Sequence, residues 1–124
     1  MVQLFPYVFA AQHGLADRLG RIEAYCQKAA EVAETLRAIP QIAIVPDPPV
    51  TNMMHLFIRA DQARLEAATV ELARETHVRL FRTFAPTDLP GYQKAEFVAG
   101  DATLDLTNDE IFALFQSLLR RVEA

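Results

Sequence analysis

Three prolines within four positions, Pro46, Pro48 and Pro49, separate two short apolar runs, Gln41–Val45 and Met53–Arg59. Each proline removes a backbone donor and holds φ at about −65°, so neither run can extend through the turn and the turn cannot join a ladder. Gln41-Ile-Ala-Ile-Val45 is β-branched and bounded by Pro40 and Pro46, which reads as a strand, and Met53–Arg59 reads as a second. The prolines therefore act as a rigid spacer between two strands of one sheet.

Helical periodicity surrounds this pair. Leu15, Leu19, Ile22, Cys26, Ala29, Ala33 and Leu36 recur in steps of four and three, predicting a long amphipathic helix through Ala38. Its stripe is mostly small residues after Ile22, which suits packing on a sheet better than a coiled coil. Before it, Leu4–His13 is a short helix candidate with Pro6 near its start and Gly14 just past its end, apolar nearly all round. Asp61 is placed to cap a third helix that buries Leu65, Ala68, Leu72 and Thr76 and keeps Arg64, Glu66, Glu71, Arg74 and Glu75 in water. Val78–Arg82 and Gln93–Val98 are expected as third and fourth strands, joined by a loop marked by Pro86, Pro90 and Gly91. Thr107-Asn-Asp-Glu110 is a capping box that opens a final helix buried through Ile111, Leu114, Phe115, Leu118 and Val122. The predicted fold is α+β, a two-layer α/β sandwich with a mostly antiparallel sheet of about four strands and helices over one face.

At 124 residues and 52% hydrophobic, the chain can build one core, so a single domain over residues 1–124 is expected. A net charge of −4 with scattered arginines disfavours nucleic acid as a partner. No apolar run approaches the roughly 20 residues of a membrane span, and the start lacks a signal-peptide pattern. A lone cysteine, Cys26, in an apolar stripe reads as a small buried hydrophobe, and a cytoplasmic location follows as the expectation.

Motifs that carry chemistry are scarce. His13, His55 and His77 are far apart and have no metal-ligand spacing, so no metal site is expected. No glycine-rich phosphate loop and no G-x-S-x-G occurs. Lys94 and Glu96 sit two apart on the fourth predicted strand and so share one face of the sheet.

The stretch "LFPYVFAAQHGLADRLGRIEAYCQKAAEVAETLRAIPQIAIVPDPPVTNMMHLFI" and the later "EFVAGDATLDLTNDEI" resemble the C-terminal small domain of threonine-aldolase-like β-eliminating lyases. These are pyridoxal-phosphate enzymes of the aspartate-aminotransferase fold. The likeness rests on Arg21, Tyr25 and Ala29 in the long helix, on the strand end before Pro46, and on Thr51-Asn52-Met53. It implies a fragment of a lyase acting on β-hydroxy amino acids, with a missing N-terminal large domain that holds the cofactor and its Schiff-base lysine. Residues 1–14 would then be a linker helix toward that domain, and the assembly a homo-oligomer.

The chain has two lysines, and neither Lys28, on the expected wet face of the long helix, nor Lys94 is placed as that amine. The resemblance therefore implies no catalytic residue here and no bound cofactor in the chain alone. It also implies a small-domain clamp on the substrate carboxylate, usually an arginine. Aligning "EFVAG" with the family pattern R-[LF]-V-T-H puts Glu96 in that arginine's place and Gly100 in the histidine's, both departures. Lys94 or Arg82 would have to substitute, which makes Lys94, Arg82 and Glu96 the candidate substrate-binding residues. Two other readings remain open: a self-contained α+β module that dimerises through its sheet and binds a small regulatory metabolite, and a cofactor-free enzyme built on His55, Glu96 and Arg82.

Overall fold

A computed structural model describes residues 19–123. The helix candidate Leu4–His13, the linker segment 1–14 and His13 lie outside the described residues. The elements are α1 (Ile22–Leu36), β1 (Ile42–Val45), β2 (Met53–Arg59), α2 (Gln62–Thr76), β3 (Ala85–Pro86), β4 (Tyr92–Val98), α3 (Asp101–Leu104) and α4 (Asn108–Glu123). The four strands form one antiparallel sheet in the order β1-β2-β4-β3. The α+β two-layer expectation holds.

Alternation along the strands produces the two layers. Ile42, Ile44, Met54, Leu56, Ile58, Ala95 and Phe97 are buried and meet the buried stripes of α1, α2 and α4 in one core. The opposite face carries Ala43 and Val45, then Met53, His55 and Phe57, then Lys94, Glu96 and Val98. No described residue covers it, and Val45 and Val98 stay 49% and 51% exposed.

The long helix is shorter than its periodicity suggested and turned on its axis. Gly20 and Arg21 form a turn, and the helix begins at Ile22. Ala29, Ala33 and Leu36 are buried as expected, but Leu19 and Ile22 are exposed and Cys26 is only half-buried. Tyr25, Val32 and Lys28 take the inward places. Lys28 is the sharpest correction, because the wet-face expectation is reversed. It is 7% exposed, and its Nζ donates to the Leu106 carbonyl at 2.7 Å and to Asn108 Oδ1 at 2.9 Å. The ammonium is satisfied by the loop that opens α4, and its stem packs as apolar surface.

The proline turn is docked as well as stiff. Arg37, at the end of α1, forks onto both carboxylate oxygens of Asp47 through Nε (2.9 and 3.0 Å) and through Nη2. Asn52 then ties the start of β2 to the end of β4. Its side chain donates to the Ala99 carbonyl at 3.0 Å, and its own carbonyl accepts from the Ala99 amide at 2.8 Å. Thr51 Oγ1 accepts from the Met53 amide at 3.2 Å, so Thr-Asn-Met sets where β2 begins.

Both helix caps form as read. Asp61 Oδ2 accepts from the Arg64 amide at 3.0 Å, and Thr107 and Glu110 exchange side-chain and backbone bonds at 3.1 and 3.2 Å. In α2 the buried polar residue is Thr69, which donates to the Leu65 carbonyl, while Thr76 is exposed.

Candidate functional site

The third strand is not where the sequence placed it. Val78–Arg82 is unpaired, and β3 is the two-residue stretch Ala85–Pro86 opposite Lys94 and Gln93. Spacing explains the difference. Phe81 and Phe84 are both buried, with Phe81 packed edge-on against Phe84 (5.4 Å) and Phe115 (5.6 Å). In a strand, residues three apart face opposite ways, so both rings reach one core only if the chain between them leaves strand geometry. The Arg79 side chain holds the resulting curl. Its Nε donates to the Phe81 carbonyl at 3.0 Å and its Nη2 to the Arg82 carbonyl at 3.2 Å.

The divergence opens a cleft of about 860 Å³ between the 78–83 segment and the far half of β4. Leu80, Phe97, Leu106 and Ile111 make its apolar floor, and Arg82, Glu96 and Thr103 are among its polar lining. Short α3 forms one wall and is anchored from α1. Tyr25 donates its hydroxyl to Asp101 Oδ1 at 2.5 Å, and Arg21 Nη1 donates to the same oxygen at 2.9 Å. The hydrogen bond to Asp101, followed by burial, raises the Tyr25 phenol above its ordinary pKa. The Arg21-x3-Tyr25 pair of the resemblance is thus a latch on the cleft wall, and Lys28 fixes the Leu106–Asn108 loop beside it.

Of the three expected site residues, Arg82 and Glu96 share this cleft. Arg82 stands on the curled segment rather than on a neighbouring strand. Lys94 does not line the cleft and lies on the uncovered sheet face opposite Phe57 and Ala85. His55 is the cross-strand partner of Glu96. Among the described residues, neither the Arg82 guanidinium nor the Glu96 carboxylate has a hydrogen-bond or ion-pair partner. The sequence reading missed Arg79 and Thr103. The odd Phe81–Phe84 spacing was the available signal for the curl, and no local signal marks Thr103.

The lysines do not suit a Schiff-base cofactor. Lys28 Nζ is buried and engaged by two acceptors, and Lys94 lies outside the cleft. The described residues offer no cradle for pyridoxal phosphate, and no step through it follows from this chain. Among the described residues, no three His, Cys, Asp or Glu side chains cluster to hold a metal ion, and no helix is long and apolar enough to cross a membrane.

No family model matches the chain, and no curated protein matches it. Two solved structures do, and both belong to the threonine aldolase and β-eliminating lyase class. The first, from Exiguobacterium sp. 255-15, is described as an aromatic amino acid β-eliminating lyase/threonine aldolase. It is 28% identical with a TM-score of 0.82, over 95% of this chain and 33% of that one. The second, from Listeria monocytogenes EGD-E, is described as an L-allo-threonine aldolase and is 23% identical, with the same TM-score and coverage, a likeness of fold alone. The chain therefore spans about one third of the length of the structures it matches, in agreement with the resemblance to a portion of such lyases.

Proposed function

We propose that this chain is the C-terminal domain of a threonine-aldolase-like, pyridoxal-phosphate-dependent lyase acting on β-hydroxy amino acids, and that alone it is catalytically inert. The observation that carries this reading is a match over nearly the whole of this chain to one third of such a lyase. Neither lysine of this chain is placed for the cofactor, Lys28 being buried and engaged and Lys94 lying outside the cleft. The large domain would supply the cofactor and its lysine, and this domain the cleft. Arg82 would meet the substrate carboxylate, because its planar fork is the one free cation in the cleft lining among the described residues. Lys94, on the uncovered face, would serve the docked domain rather than the carboxylate. The assembly would be a cytoplasmic homo-oligomer, with residues 1–14 leading from the large domain.

The test adds pyridoxal phosphate to the purified chain and follows visible absorbance and threonine cleavage. Neither should appear. A visible band that vanishes in Lys28→Arg or Lys94→Arg, or cleavage by the chain alone, overturns the inert-fragment reading. Grafting the chain in place of the matching third of the Exiguobacterium protein tests the positive half. If the graft cleaves threonine, Arg82→Gln should raise KM about tenfold or more, by loss of a charged hydrogen-bonding partner.

A further inference from the structure

The cleft is bordered by main chain as well as by side chains. The Arg59 amide donates to Gln41, the Ala60 amide to Gly91 and the Ala99 amide to Asn52. With the β2–β4 register, these bonds fix which β4 residues face β2: Gln93, Ala95 and Phe97. Tyr92, Lys94, Glu96 and Val98 point their amides and carbonyls the other way. There, Tyr92 is bonded to Leu89 and Thr87, and Lys94 pairs with Ala85. Beyond Ala85 the partner chain curls off, and the backbone groups of Glu96 and Val98 have no partner among the described residues.

Continued in the β3 register, positions 83 and 81 would stand opposite Glu96 and Val98. They do not, because Phe81 and Phe84 are fixed in the core and Arg79 occupies the carbonyls of the curl. The protein cannot close the slot itself without withdrawing Phe81 from Phe115. What remains is an open stretch of β4 edge with two donors and two acceptors, in pairs about 7 Å apart, the repeat of an extended chain.

The geometry points to a binding site for the C-terminal end of an extended peptide, added antiparallel to β4. Another main chain is the ligand whose polar groups repeat at that spacing, which is the chemistry of strand addition at a free edge. Charge sets the rest. The peptide residue opposite Glu96 shares its face and is basic, and the residue two earlier, opposite exposed Val98, is apolar. The slot is closed at the Glu96 end by Phe84 and Ala85, so the peptide ends there, with its carboxylate beside Arg82. The motif is apolar-x-Lys/Arg with a free carboxylate. This inference goes beyond the lyase reading and is tested without cofactor.

The probe is acetyl-Val-Thr-Lys with a free carboxylate, titrated into ¹⁵N-labelled chain while the Glu96 and Val98 amide resonances are followed. Both should shift, with affinity at least tenfold above that of the C-terminal amide, of acetyl-Val-Thr-Glu and of free L-lysine. Arg82→Gln should abolish the distinction between acid and amide, and Glu96→Lys should transfer the preference to the Glu-terminated peptide. Unmoved Glu96 and Val98 amides, equal binding of L-lysine, or an unchanged ranking in both variants would overturn the proposal.

Discussion

Lys28 and Thr107 both hold the entrance of α4, yet only one of them is visible in the sequence. Thr107 acts on an amide three residues away, so Thr-x-x-Glu followed by an apolar stripe is a local pattern that needs no fold to be read. Replacing it with Ala should cost about 1 kcal/mol in urea unfolding. Lys28 reaches acceptors some eighty positions further on, and periodicity classes any lysine as solvated. Losing its charged donor from a buried site should be the larger effect. Lys28→Ala is expected to cost about 2 kcal/mol. Lys28→Met, which keeps the stem, should fall between that variant and the parent, a ranking that a purely exposed lysine would not give.

At the scale of elements, the strands flanking the proline turn were legible because their ends are written in prolines and their faces alternate. Met53–Arg59 begins and ends as read. The third strand was misplaced because Val78–Arg82 has strand composition, whereas its conformation is decided by two aromatic rings that must share one core. Phe81→Ala should therefore destabilise by about 3–5 kcal/mol and leave the β2–β4 ladder in place. The free edge it borders has its own signature. Hydrogen exchange along β4 should alternate, with the Ala95 and Phe97 amides protected by β2 and those of Glu96 and Val98 exchanging at least tenfold faster. Uniform protection from Ala95 to Val98 would show that the edge is covered. The lining of the cleft was half legible for the same reason. Period two put Lys94 and Glu96 on one face, but only the curl puts Arg82 on the same cleft as Glu96, with Lys94 outside it.

Across the whole molecule, ion pairs join parts that the core alone would leave free to shift. Arg37 holds the proline turn to α1, and Arg121 on α4 spans Glu71 and Glu75 on α2 at 2.6 and 2.5 Å. Hydrogen bonding by these guanidinium groups holds the Asp47 and Glu75 carboxyls below their ordinary values of 3.8 and 4.5. A depressed carboxyl stabilises the fold in full above its unfolded pKa and loses that contribution as pH falls through the folded one. Tyr25 works in the opposite sense. Its phenol is raised above 10.0, so its contribution is complete below that value and is lost as pH rises through the folded pKa. The urea midpoint should thus be flat between about pH 6 and 9, decline below about pH 4.5, and decline again above about pH 10. Arg121→Gln should make the acid limb shallower and leave the alkaline limb unchanged, and Tyr25→Phe should do the reverse. Because the Glu71 and Glu75 ends of the Arg121 pairs are exposed, 1 M salt should weaken the acid-limb difference; limbs that respond to neither substitution would mean that other groups govern the pH dependence.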